Sequence, residues 1–257
     1  MKIVATIEAR MSSSRLPGKV MKSILGKPAL ALLIERLKRA KLLDDLVVAT
    51  TINKKDQVIE DLSKKIKIKC FRGSEEDVLG RVLKAAKSVN ADLIVEITGD
   101  CPLIDPEIVQ ECIKFFLDGN YDYVSNGGPK KTFPNGLSVQ VFPTKILEEV
   151  DSLTDDPLDR EHVSLYIYNH PEKYKLGYYK ARGELHWPEL TITFDTTQDY
   201  QLIKTIFEAL YPKNPRFTAL DVVRFLRANP ELTKINKNSK RRNNYFKSIS
   251  RKANNEK

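Results

Sequence analysis

Residues 2–19 read Lys2-Ile3-Val4-Ala5-Thr6-Ile7-Glu8-Ala9-Arg10-Met11-Ser12-Ser13-Ser14-Arg15-Leu16-Pro17-Gly18-Lys19. Residues 2–7 form a short apolar, β-branched run that suits a strand. The residues that follow change character: three cations, three serines, a glycine and a proline fall within residues 10–19. Like charges packed this closely repel unless something anionic neutralises them. Arg, Lys, Ser hydroxyls and loop N–H groups are the donors a triphosphate needs. The other reading of the same residues is a basic surface turn joining a strand to a helix. The stretch is neither G-x-G-x-x-G nor a Walker P-loop. A strand that delivers an anion-binding loop into a helix is the opening of an α/β sheet, where ligands gather at strand C-termini.

Outward from that loop, β-branched runs alternate with segments of helical period, as βαβ units require. The spacing predicts helices over 28–40, 54–63, 74–88 and 106–117 and strands over 46–50, 66–71 and 93–97. Ser74 is the expected N-cap of its helix, with Asp77 at capping-box distance. Pro106 stands at a first helical position. The later half reads less regularly, with strands over 121–125, 137–142 and 190–194 and helices over 159–168 and 197–210, and a last helix opened by Thr218 and stopped near Pro230. Together these predict a Rossmann-like three-layer α/β fold with a mostly parallel mixed sheet.

With 257 residues, 41% of them hydrophobic, the chain suffices for one large domain. The net charge of +9 invites a nucleic-acid reading until it is located: residues 236–257 hold eight Lys or Arg against one Glu and carry +7 of it. The body is nearly neutral, so the basicity is assigned to a disordered, solvated tail and nucleic-acid binding by it is disfavoured. Cys70, Cys101 and Cys112 fit neither a disulfide framework nor a zinc site and point to a reducing cytoplasm. No segment reads as a signal peptide or a membrane span.

The motif Ala9-Arg10, Ser13 and Arg15-Leu16-Pro17-Gly18-Lys19 resembles the signature of cytidylyltransferases that make CMP-linked sugar acids, the 3-deoxy-manno-octulosonate and acylneuraminate enzymes among them. Nearer still is the spore coat polysaccharide biosynthesis protein F family. That resemblance continues through residues 71–79, 99–105, 122–126, 132–134, 160–163 and the Asp195 region. It covers about residues 1–235, with a nucleotide-binding half over 1–120 and an acceptor-binding half over 121–235, and leaves the tail outside. It implies a nucleotide-diphospho-sugar transferase fold, CTP as donor, release of pyrophosphate, Mg²⁺ as cofactor and a sugar or sugar acid as acceptor. Related enzymes often pair subunits, which makes a homodimer an implied partner.

Residue by residue, the resemblance places Ala9, Arg10, Ser13, Arg15, Gly18, Lys19, Arg72, Gly73, Asp77 and Gly99 at the nucleotide. Asp100 and Asp195 would hold the metal, since a hard ion bridging phosphate oxygens takes carboxylate partners. Arg10, Arg15, Lys19 and Asp100 form the catalytic set. Ser125, Asn126, Gln140, Arg160, Glu161 and His162 form the acceptor set. Asp77 reads equally well as a helix cap, His162 as a satisfied structural histidine, and Cys101 as a packing residue. Where relatives commonly read F-P-D-G-L-D-V-E, this chain has Phe133-Pro134-Asn135-Gly136-Leu137-Ser138-Val139-Gln140, three carboxylates fewer. Glu8 replaces a more usual Gln or Pro, and Gly80 stands where Asp is frequent. Those losses keep a catalytically degenerate nucleotide-binding protein as an alternative. A glycosyltransferase on a similar sheet is another, although Asp100-Cys101-Pro102 supplies no D-x-D motif.

Overall fold

The structure is a computed structural model that describes residues 1–237 and 239; the remainder of the predicted tail lies outside the described residues. Strand β1 (Ile3–Glu8) is followed by a two-stranded ribbon, β2 (Ser23–Ile24) and β3 (Lys27–Pro28), and by helix α1 (Ala29–Leu37). Then come β4 (Asp45–Thr51), α2 (Gln57–Lys65), β5 (Lys69–Gly73), α3 (Val78–Ser88), β6 (Leu93–Thr98) and α4 (Pro106–Asp118). The second half supplies β7 (Tyr123–Ser125), β8 (Gln140–Pro143), α5 (Thr144–Leu153), α6 (Pro157–Glu161), α7 (Leu165–Asn169), β9 (Leu176–Tyr178), α8 (Thr197–Leu210) and α9 (Ala219–Ala228).

Seven strands form one sheet in the order β5-β4-β1-β6-β8-β7-β9, with β8 antiparallel to both its neighbours and every other pairing parallel. The chain winds outward from β1 through β4 to β5, then returns to lay β6 on the other side of β1. That reversal makes β1 and β6 the topological switch point, and the crevice outside their C-terminal ends is where such sheets bind ligands. Strand residues alternate between two cores: Ile3, Ala5, Ile7, Val48, Val95 and Ile97 face one, while Val4, Val47, Ala49 and Ile94 face the other. Helices α1, α2, α4, α8 and α9 cover the first face, and α3, α5 and α7 cover the second. The three-layer α/β expectation therefore holds.

Several local expectations are corrected. Asp77, not Ser74, caps α3, accepting from the Gly80 N–H at 2.9 Å, while the Ser74 hydroxyl accepts from the Asp77 N–H. The strand expected over 66–71 starts at Lys69, because Lys67 takes a left-handed φ of 56°. The helix expected over 159–168 breaks into α6 and α7 around Val163, whose φ of 46° is costly for a β-branched residue. Residues 190–194 form no ladder; the segment is tied by an isolated bridge from Asn135 to Thr191. Helix α5, strand β9 and the β2–β3 ribbon match no element that the sequence pattern predicts.

The packed chain continues past residue 235. Asn236 is buried and donates to the Thr191 carbonyl and to Asp199. Among the described residues, no helix is long and apolar enough to cross a membrane.

Candidate active site

Glu8 ends β1 and Thr98 ends β6, and the two are register partners across the switch point. Beyond them the chain turns tightly. A Cβ on Gly99 would lie 2.5 Å from the Glu8 carbonyl, which accepts from the Gly99 N–H, so only glycine lets the two strand ends come this close. The loop after β1 closes on itself through the Gly18 N–H donating to the Met11 carbonyl, with Gly18 in the left-handed region at φ 69°. Its far side is pinned by buried Asp56, which accepts from the Met11 N–H at 2.7 Å. Arg10 and Ser12 are drawn to Glu75, Arg10 at 3.1 Å.

Lys19 is the centre of the site. Its Nζ donates to Asp100 Oδ2 and Asp195 Oδ1, both at 2.8 Å, and Arg15 reaches the same Asp195 oxygen at 2.9 Å. The two acids are 95 residues apart in sequence, and backbone hydrogen bonding brings them together: the Phe194 N–H donates to the Asp100 carbonyl at 2.8 Å. Asp195 is then held by the start of α8, where buried Asp199 accepts from the N–H groups of Asp195 and Thr196 in a capping box.

Burial alone would push the Asp100 carboxyl up, yet the Lys19 charge and hydrogen bonds from Lys19, Thr98 and Cys101 hold it below its ordinary value. Burial acts to lower the Lys19 ammonium, and the two aspartates outweigh it, leaving Lys19 above its ordinary value. Both groups are therefore ionised at neutral pH. Cys101 is buried and its thiol is raised by burial and by Asp100, so it is a packing residue and not a nucleophile.

These residues line a cavity of about 410 Å³ at the switch point, where Glu8, Ala9, Arg10, Ser13, Arg15, Lys19, Gly99, Asp100 and Asp195 are joined by Asn135, Glu161 and His162. Ser14, Val20, Val78, Arg81, Thr98 and Thr193 complete the lining. A family model described as a cytidylyltransferase matches residues 4–229. The chain belongs to the cytidylyltransferase family. It is 32% identical over 236 residues to the spore coat polysaccharide biosynthesis protein SpsF of Bacillus subtilis, covering 89% of this chain and 95% of that one. It is 36% identical over 118 residues, 46% of each chain, to the 3-deoxy-manno-octulosonate cytidylyltransferase of Pelobacter propionicus. A solved cytidylyltransferase structure from Leptospira borgpetersenii superposes with a TM-score of 0.85 at 33% identity, over 94% of this chain and 99% of that one.

Within this cytidylyltransferase, the other residues expected at a site lie elsewhere. Arg72 is spent on α2 and the turn before it, donating to the Thr51 and Asn53 carbonyls and to Gln57 and Glu60. Gly73 closes β5, its carbonyl accepting from Ile52. Asp77 and Arg160 bind each other at 2.6 Å, and Arg160 also takes Asp151 at 2.8 Å. A Cβ on Gly80 would fall 2.1 Å from the Asp77 carboxylate, which explains the glycine there. Asn126 spans a loop, accepting from Val139 N–H and donating to the Leu137 carbonyl, and Ser125 accepts from Gly127 N–H. None of the six expected residues Arg72, Gly73, Asp77, Ser125, Asn126 and Arg160 lines the cavity, nor does Gly18.

Gln140 sits deeper, on β8 beside Glu96, where its Oε1 accepts from Tyr123 and Ser164. Arg81 escaped the sequence reading because it lies on the buried face of α3, among Val78, Val82 and Ala85. An arginine at a position where helical period demands an apolar residue was the signal available.

Proposed function

We propose that this cytidylyltransferase moves the CMP unit of CTP onto a sugar or sugar acid, releasing pyrophosphate, in the biosynthesis of a surface polysaccharide or glycan. The observation that carries the reading is the meeting of Lys19, Arg15, Asp100 and Asp195 in one cavity at the switch point. Arg10, Ser13, Arg15 and Lys19 would bind the triphosphate, neutralise its charge and hold the α-phosphorus for in-line attack. Ala9 and Gly99 permit close backbone approach. The reaction needs no covalent protein nucleophile.

The donor set also suits Mg²⁺. Two carboxylates already converge on a single cation, Lys19, and Mg²⁺ takes one or two carboxylates and fills its remaining positions with phosphate oxygens and water. Among the described residues no group of three or more acidic, His or Cys side chains forms a metal cage, in keeping with an ion that arrives with its nucleotide. Asp100 and Asp195 would hold it, and the ion would supply charge neutralisation at the triphosphate. Glu161, His162 and Asn135 face the same cavity and form the acceptor side, so the nucleotide falls to residues 1–120 and the acceptor mainly to the rest. The names of the relatives support a sugar acid and a biosynthetic setting.

A pyrophosphate-release screen crossing CTP, ATP, GTP and UTP with sugar acids and sugar phosphates in the presence of Mg²⁺ tests the reading. Release with CTP and one acceptor class, lost in Asp100→Asn, is the expected result. Silence across the panel, or turnover retained in that variant, overturns it.

A further inference from the structure

We propose that Glu8 is the base that receives the proton of the acceptor's attacking group, that it shares a second proton with Glu96 behind it, and that the attacking group is therefore a hydroxyl and not a phosphate. The inference rests on the cytidylyl-transfer reading of the same cavity. Glu8 ends β1 and Glu96 lies on the adjacent β6, both on the sheet face that carries Val4 and Ile94. Their carboxyl groups are within hydrogen-bonding reach of each other. Glu8 Oε1 and Glu96 Oε2 are both fully buried and without a donor. Two carboxylates so placed do not both ionise, and one proton is held between them.

The surroundings divide the pair unequally. Arg81 of α3 and Arg10 of the loop act on Glu8 with positive charge, against Asp100. Around Glu96 the partners are neutral: Gln140 of β8, Ser164 between α6 and α7, and Tyr123 of β7 nearby. The proton therefore rests on Glu96 and the negative charge on Glu8. Burial raises both carboxyls, and the Glu8 charge raises Glu96 further, while the hydrogen bond with Glu96 and the charges of Arg81 and Arg10 hold Glu8 lower. Glu8, not Glu96, lines the cavity, beside Thr98 and Asp100, so the second Glu8 oxygen is the one offered to a substrate.

A hydroxyl that attacks the α-phosphorus forms a new O–P bond while the bond from that phosphorus to the pyrophosphate oxygen breaks. Pyrophosphate leaves with the electron pair, and the hydroxyl proton passes to Glu8, to be returned to water after the products depart. A phosphate nucleophile attacks through an oxygen already ionised. It has no use for this base and would set its own charge against it.

The test compares wild type with Glu8→Gln, Glu8→Asp and Glu96→Gln in pyrophosphate release from CTP and Mg²⁺, using 3-deoxy-manno-octulosonate as hydroxyl probe and glucose 1-phosphate as phosphate probe. Glu8→Gln is expected to lower kcat with the hydroxyl probe by about 10²-fold and to remove the acid limb of its pH profile. KM for CTP is expected to stay within about twofold, and Glu8→Asp to recover part of the rate. In Glu96→Gln an amide, a weaker donor than the shared acid proton, faces the Glu8 carboxylate, and the acid limb moves to higher pH. Glu8→Gln turning over like wild type across the pH range overturns the proposal. So does release with glucose 1-phosphate that the substitution leaves unchanged. If wild type releases no pyrophosphate with any acceptor, the cytidylyl-transfer reading fails on its own. Infrared spectroscopy then decides the proton pair: a protonated-carboxyl carbonyl band at neutral pH, lost in Glu96→Gln, supports it, and no such band in wild type overturns it.

Discussion

Two clusters in this molecule have nearly the same composition and opposite uses. At the switch point, Lys19 and Arg15 meet Asp100 and Asp195; between α3, α5 and α6, Arg160 meets Asp77 and Asp151. The second is consumed by the fold. Asp77 caps α3 with the oxygen that also takes Arg160, and the guanidinium spends a further bond on the Asp151 carbonyl. The first binds side chains alone with its side-chain atoms, faces a cavity, and owes its assembly to backbone bonds made by neighbouring residues. Ion pairs that a ligand can replace are the mark of a site; ion pairs that carry the backbone are the mark of a scaffold.

Substitutions at the two clusters can break that contrast. The largest effect is expected from Asp100→Asn, with kcat reduced by about 10²–10³-fold and little change in thermal midpoint. A variant that loses stability instead would make the switch-point cluster another scaffold. Arg160→Ala is expected to show the mirror image, a loss of about 2 kcal/mol in unfolding free energy by denaturant titration with kcat preserved in the folded enzyme. A fall in kcat at unchanged stability would return Arg160 to the acceptor side. Thr196→Ala removes the hydroxyl that completes the capping box next to Asp195, and about 1 kcal/mol of stability with a modest rise in KM for CTP is expected from calorimetry and kinetics.

The last prediction concerns stability against pH. Glu96 is raised in the folded state, so between its ordinary value of 4.5 and its folded value the native protein binds the extra proton. Its stabilising contribution is full below 4.5 and is lost as pH rises. Urea titrations of Glu96→Gln should therefore fall less steeply with rising pH than those of wild type, and parallel slopes would refute it.

Much of this was legible in the sequence for identifiable reasons. Strand β1, its loop and the motif at 98–105 are local in sequence, so their composition reports directly on their geometry. Asp100 and Asp195 could be paired only by resemblance, because the Phe194 to Asp100 backbone bond that joins them leaves no periodic trace. Residues 190–194 have a strand's composition, but the backbone there bonds to Asn135, Asp100, Trp187 and the Asn236 side chain and builds no ladder. Arg72, Asp77 and Arg160 carry the right chemistry in the right motifs. What places them outside the cavity is the capture of each by nearby carbonyls and carboxylates, which composition does not reveal. Glu8 was visible as a departure, but its partner Glu96 sits inside an apolar run and is found only across the sheet.

The Phe194 to Asp100 bond also sets an order of events for a chain made from its N-terminus. Strands β1, β4, β5 and β6 pair among themselves within the first hundred residues, so the loop after β1 and Asp100 can be in place while synthesis is little more than a third complete. Asp195 arrives far later and must dock back across nearly a hundred residues, a closure of high contact order and correspondingly slow. An unfinished chain can thus own the loop after β1 and one acid beside it, without the second acid that the proposed transfer calls for.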